Sequence, residues 1–264
     1  MSELKNKKCF IFDMDGTIYL GDNFIDGAVE LLEHIEKIGK NFVFLTNNSS
    51  KNSGVYCEKL KKMGFEVEED KIFTSGEATR IYINKFKPGA KIYLLGNEYL
   101  EAEFEENEFI LVKDRDSNPD YVVLGFDTTL TYEKIWIACD YIKDGVEFLA
   151  THPDYVCPLP MGKSMPDTGA MIKMFEAAAG VSPKIIGKPN KLIIESILDK
   201  YNLEPEDVVM VGDRLYTDMK LGKNAGIDSI LVLTGEATEE DVKTSNILPT
   251  YIFESVKTIH KNLK

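Results

Sequence analysis

At 264 residues, with 44% hydrophobic and 28% charged side chains, the chain can form one large domain or two modest ones, each with its own core. The formal charge of −13 argues against nucleic acid and anionic membrane surfaces as partners. No stretch approaches the roughly 18 apolar residues of a membrane span, and the four scattered cysteines (Cys9, Cys57, Cys139, Cys157) lack any Cys-x-x-Cys spacing. They read as buried reduced thiols, so a soluble, cytoplasmic protein is expected. The polar segment Met1–Lys8 leads into an apolar run too short for a signal-peptide core.

The first element is the apolar run Cys9–Phe12, a buried strand of a parallel sheet that ends in Asp13-Met14-Asp15-Gly16-Thr17. Ligands of open α/β sheets sit outside the carboxyl ends of strands, and two acids this close repel unless a cation or proton intervenes. Apolar residues at helical spacing predict a helix over Ala28–Ile35, closed by Gly39. The strand Asn41–Leu45 completes a β-α-β unit and ends in Thr46-Asn47-Asn48-Ser49-Ser50, a cluster suited to phosphate binding or to capping the helix Ser53–Met63. A short strand over Lys71–Ser75 and a helix over Glu77–Phe86 follow.

From Lys91 a new α/β alternation begins, with strands Ile92–Gly96, Tyr121–Gly125 and Val146–Ala150 and helices Glu98–Glu105, Thr131–Lys143 and Gly169–Ala179. That is enough for a domain of its own, placed at residues 80–182, with residues 1–79 and 183–264 forming the other. Glu98–Asp116 reads as a solvated acidic face. The stretch His152–Asp167, rich in Pro and Gly and following a strand, reads as a long loop, and long ordered loops tend to be functional. Ile185-Ile186-Gly187-Lys188-Pro189 places a lysine after a short apolar strand and before a helix over Asn190–Lys200. In Val208–Gly212 a buried strand ends in Asp213, and a second carboxylate, Asp218, follows five residues later. Such hard oxygen ligands from neighbouring strand ends are what Mg²⁺ requires. The strands Ser229–Leu233 and Tyr251–Phe253 and a helix from Val256 finish the chain. His34, His152 and His260 are scattered, and no His/Cys grouping suggests zinc.

The four strand-end elements, in this order, resemble the four motifs of the haloacid dehalogenase-like hydrolases, most of which are magnesium-dependent phosphatases. The insertion between the second and third motifs, with Gly187-Lys188-Pro189 and Gly212-Asp213-Arg214-Leu215-Tyr216-Thr217-Asp218, is similar to the p-nitrophenyl phosphatase and NagD-like branch, the capped class II members. The resemblance implies an α/β fold with a Rossmann-like parallel-sheet core and an inserted α/β cap.

It further implies that Asp13 is the nucleophile, giving an aspartyl-phosphate, and that Asp15 is the general acid and base, its pKa raised by burial beside another carboxylate. Mg²⁺ would be held by Asp13, the Asp15 main-chain carbonyl and Asp213. Gly16, Thr46, Asn47 and Lys188 would bind the phosphoryl oxygens, and Asp218 would orient Lys188 or the metal's water shell. The expected partner is a small phosphate ester, with sugar phosphates, phosphoglycolate, pyridoxal phosphate and nucleotides all open, and a homodimer is compatible with the sequence. The alternative is a non-catalytic phosphate or nucleotide binder of the same fold. The core motifs do not distinguish leaving groups, so specificity is expected from Tyr155, Lys163 and Met165, with their loop facing Asp13 across an interdomain cleft.

Overall fold

The computed structural model describes residues 4–159 and 162–264. In chain order the first elements are β1 (Cys9–Phe12), β2 (Tyr19–Leu20), β3 (Asn23–Phe24), α1 (Ala28–Lys37), β4 (Asn41–Thr46), α2 (Ser53–Lys62), β5 (Ile72–Thr74) and α3 (Ser75–Phe86). Next come β6 (Lys91–Leu95), α4 (Glu98–Glu105), β7 (Ile110–Leu111), β8 (Tyr121–Leu124), α5 (Tyr132–Lys143), β9 (Glu147–Ala150), β10 (Val156–Leu159), β11 (Lys163–Pro166), α6 (Thr168–Ala179) and β12 (Lys184–Ile185). The last are α7 (Leu192–Tyr201), β13 (Val208–Gly212), α8 (Lys220–Ala225), β14 (Asp228–Val232), α9 (Glu239–Thr244), β15 (Tyr251–Phe253) and α10 (Val256–Leu263).

The chain forms two compact units. The first comprises Met1–Thr46, Ser53–Phe73 and Pro189–Lys264. Its sheet has the strand order β15-β14-β13-β1-β4-β5, with β1 parallel to both β13 and β4. All residues of β1 and β13 are buried, as expected of central strands covered on both faces. Side chains alternate across the sheet, so Phe10 and Phe12, Phe42 and Phe44, Val209 and Val211, and Ile230 and Val232 share one core. The same core takes the apolar stripes of α1 (Leu31, Leu32, Ile35) and α10 (Val256, Ile259, Leu263).

The second unit comprises Asn47–Asn52 and Thr74–Lys188. Its parallel sheet has the order β12-β9-β8-β6-β7. Phe148 and Phe175 meet edge to face in one core, and Leu100, Phe104 and Ile83 fill another with Ile92, Val123 and Leu149. Ile83 on α3 and Ile185 on β12 are both packed into these cores.

Most elements arise where apolar periodicity places them, and the differences have local causes. Helix α3 starts at Ser75, ahead of the expected Glu77, because the Thr74 hydroxyl accepts from the Glu77 N–H and caps it there. Part of the acidic stretch 98–116 is not simply a solvated face: Ile110–Leu111 adds an edge strand beside β6. The expected loop over His152–Asp167 contains an antiparallel hairpin, β10 with β11, pairing Cys157 with Met165 and Leu159 with Lys163. Pro158 and Pro166 obscure this strand signal in the sequence, yet a two-stranded ribbon has outward edges where a missing N–H is tolerated. Pro160 and Met161, part of the same stretch, lie outside the described residues. All four cysteines are free; Cys9 and Cys139 are buried, whereas Cys57 and Cys157 are partly exposed, contrary to the expectation that all are buried.

Candidate active site

The carboxyl ends of β1 and β13 assemble the site. Phe12 pairs with Val211 on one side and Phe44 on the other, so one residue further Asp13 comes level with Gly212. The Asp13 N–H donates to the Val211 carbonyl at 2.8 Å, continuing the ladder past the strand end. Carboxylate oxygens of Asp13, Asp213 and Asp218 all lie within 4.8 Å of one another, with Asp213 and Asp218 buried. Such a set of hard oxygen donors fits a divalent cation, and like charges this close call for one.

The backbone around these acids leaves no room for other side chains. A Cβ at Gly16 or Gly235 would overlap the Asp213 carboxylate, and one at Gly212 would overlap Asp218. Gly16 also has φ +83°, a left-handed conformation that glycine adopts without strain. Its N–H donates to the Tyr19 carbonyl at 2.8 Å, so Gly16 serves the turn and the close approach of Asp213. Asp213 Oδ2 accepts from the Glu236 N–H at 2.8 Å, which fixes its rotamer. Asp218, on a wide π-helical turn at Leu215–Met219, accepts from the Arg214 N–H at 3.2 Å. The structure thus brings Asp218, expected only in an orienting role, into the carboxylate cluster itself.

Arg214 is a residue the motif reading passed over, although it directly follows Asp213. Burial opposes its charge, but Asp13 and Asp213 outweigh that and hold the guanidinium firmly protonated. Its Nε lies 3.1 Å from Glu236 Oε2. Asp15 is exposed, so the burial expected to act on it is absent. The neighbour of its Oδ2 is the Tyr19 hydroxyl at 3.5 Å. Burial, followed by the nearby Asp15, pushes the Tyr19 phenol far up, so it stays a proton donor; the Lys59 ammonium sits 3.7 Å from its ring centroid. Thr46 closes β4 and is buried.

Asn47 and Lys188 belong to the second unit. The Asn47 side chain grips the Lys188 backbone from both sides: Oδ1 accepts from the Lys188 N–H at 2.8 Å, and Nδ2 donates to the Lys188 carbonyl at 3.0 Å. The other Nδ2 hydrogen goes to Asp154 Oδ2 at 3.1 Å. Both amide hydrogens are therefore spent within the protein. His152, at the start of the expected loop and far in sequence from the other histidines, lies buried between Asp154 and Asp167. The only sequence signal for it is the short spacing His152-Pro153-Asp154. In the hairpin, pairing puts Met165 and Lys163 on one face with Cys157 and Leu159; Tyr155 and Lys163 are exposed and Met165 half-buried.

Comparison with known proteins places the chain in a family. A haloacid dehalogenase-like hydrolase model matches residues 10–110, and a HAD-hydrolase-like model matches residues 185–259. The acid sugar phosphatase of Staphylococcus aureus is 37% identical over 253 residues, 96% of each chain. The crystal structure of 4-nitrophenylphosphatase from Thermotoga maritima superposes with a TM-score of 0.94 at 44% identity, covering 99% of both chains. Glycerol phosphate phosphatase from Mycobacterium tuberculosis, in complex with magnesium, gives a TM-score of 0.89 at 27% identity, over 97% of this chain and 77% of that one.

The chain belongs to the haloacid dehalogenase-like hydrolases. Within that family it is a phosphatase, and its structural neighbours are the NagD and p-nitrophenyl phosphatase enzymes. Among the described residues no helix is long and apolar enough to cross a membrane.

The glycine cradle yields a prediction about metal affinity. Gly235→Ala should push the Asp213 carboxylate aside and lower kcat/KM about 100-fold, the scale of loss that misplacing a reacting group by an ångström produces. Mg²⁺ titration should show part of that loss recovered at high metal. Wild-type metal affinity in the variant would contradict it.

Proposed function

We propose that the chain is a Mg²⁺-dependent phosphomonoesterase that acts through an aspartyl-phosphate on Asp13. The observation that carries this reading is the cluster of Asp13, Asp213 and Asp218 carboxylates at the carboxyl ends of two adjacent parallel strands. An Asp13 oxygen attacks phosphorus as the ester oxygen leaves, and Asp15 hands that oxygen a proton. Water then attacks phosphorus, Asp15 takes back a proton, and the Asp13–phosphorus bond breaks to release inorganic phosphate. Splitting one displacement into two lowers each barrier. A divalent cation would be held by Asp13, the Asp15 main-chain carbonyl and Asp213, with Asp218 as a further carboxylate, and would supply charge neutralisation.

Thr46 and the Lys188 ammonium supply donors for the equatorial oxygens. Asn47 contributes its backbone N–H, since its amide hydrogens already serve Lys188 and Asp154. Arg214, facing Asp13 and Asp213, limits their mutual repulsion. Relatives named for sugar and glycerol phosphates support a small hydroxylated phosphate ester as the substrate. The acidic composition and free cysteines support a reducing, cytoplasmic setting.

Asp13→Asn should abolish turnover and phosphoryl-enzyme formation, read by trapping with labelled substrate, because an amide is not a nucleophile at neutral pH. Chelation with EDTA should remove hydrolysis of 4-nitrophenyl phosphate and Mg²⁺ should restore it; Ca²⁺ should support it poorly because its larger, looser coordination shell misplaces the attacking oxygen. Full activity in chelator would refute the metal assignment. For the hairpin, replacing Tyr155, Lys163 or Met165 should reorder a panel of phosphorylated metabolites by KM while aryl-phosphate kcat stays within about tenfold. An unchanged order would remove these residues from specificity.

A further inference from the structure

The second unit holds a buried charged cluster that the proposed chemistry leaves unused. His152 is 1% exposed, and each of its ring nitrogens faces acceptors. Nε2 lies 3.0 Å from Thr168 Oγ1 and 3.5 Å from Asp167 Oδ1. The Thr168 hydroxyl also lies 3.2 Å from Asp167 Oδ1, and when it donates there its oxygen accepts from His152 Nε2–H. On the other side, Nδ1 faces Asp154 Oδ2 at 3.5 Å. With one carboxylate 3.5 Å from each ring nitrogen, the negative charge on both sides of the buried ring favours a proton on both nitrogens.

Asp154 connects this imidazolium to the lysine of the third motif. The same Oδ2 accepts from Asn47 Nδ2, and Asn47 holds the N–H and the carbonyl of Lys188. The chain is packed tightly here: the Gly187 N–H donates to the Thr151 carbonyl at 2.7 Å, and a Cβ at Gly187 would collide with Thr151 and Asn47. Asp154 thus sits between His152 and Lys188, and either cation lowers its pKa against the raising effect of burial. At the far end Asp167 caps α6, accepting from the Thr168 N–H at 2.6 Å.

We propose that His152, as an imidazolium between Asp154 and Asp167, is a positioning residue that sets the placement of Lys188 through Asp154 and Asn47. The inference rests on the phosphate-binding role proposed for Lys188. Its charged surroundings are Asp154 and Asp167, which favour the proton, and Lys188, which opposes it with burial; the carboxylates win and the pKa is raised. A raised histidine pKa means that the arrangement is complete at low pH and is lost as pH rises through that pKa.

The test uses the full-length enzyme, with competitive inhibition by inorganic phosphate as the readout. His152→Gln should weaken phosphate binding and lower kcat/KM by about 10- to 100-fold at pH 6, the range seen when a supporting residue of a site is removed. The ratio of wild type to variant at each pH cancels the titration of phosphate itself, and it should fall toward one as pH rises. Asp154→Asn, which keeps an acceptor for Asn47 but removes the charge, should move the wild-type alkaline loss to lower pH. A constant ratio of one in the folded variant overturns the proposal. So does a neutral His152 ring in the wild type, read at pH 7 by ¹⁵N NMR. Lys188→Met separates the two readings: if it leaves phosphate inhibition unchanged, the role of Lys188 fails; if it weakens inhibition while His152→Gln does not, only the positioning inference fails.

Discussion

Three carboxylates within 4.8 Å of one another are the constraint on which the first unit depends. At about 4 Å, two unit charges repel by about 1 kcal/mol in water and about 4 kcal/mol near a protein surface. The acids do not choose that proximity. It follows from the in-register pairing of β1 with β13, whose buried apolar side chains hold the strand ends level. Gly16, Gly212 and Gly235 then let the backbone close around the carboxylates, where any Cβ would push them apart. The hydrophobic effect and the sheet ladder thereby maintain an electrostatically unfavourable arrangement, which is what a cation site needs before the cation arrives.

Both units answer negative charge with a small number of well-placed cations. The formal charge of −13 offers no general attraction for a phosphate ester, so attraction has to be local. In the first unit Arg214 faces Asp13 and Asp213. In the second, His152 and Lys188 flank Asp154. A buried carboxylate without such a partner would be costly, and the buried backbone N–H and carbonyl of Lys188 need hydrogen-bond partners as well. The amide of Asn47 meets the second requirement with one side chain, since it carries a donor pair and an acceptor in a fixed plane.

Much of the architecture was legible along the chain. Apolar runs that end in Asp13, Thr46 and Asp213 are local patterns, and a parallel sheet puts the ends of its strands on one edge whatever the loops do. Helices α1, α4 and α5 likewise follow from spacing and caps within a few residues of their boundaries. The β10–β11 hairpin was not legible, because Pro158 and Pro166 mask a pairing that exists only between its two strands. The edge strand β7 was hidden by the acidic residues around it, since its backbone pairing is with β6.

The sequence by itself pointed to the class of protein, because the motifs at its strand ends resemble, in order, those of the family to which the chain belongs. Only the tertiary structure decided the environment of each charge. Asp218 joins the carboxylate cluster, and Asp15 is exposed where burial was expected. The Asn47 amide turns from a ligand donor into a clamp on Lys188, 141 residues away. His152, one of three scattered histidines in the sequence, proves to lie between two acids. The reason is physical: a side chain's donors and acceptors are fixed by its covalent structure, but which of them remain available depends on neighbours that only folding brings within about 3 Å.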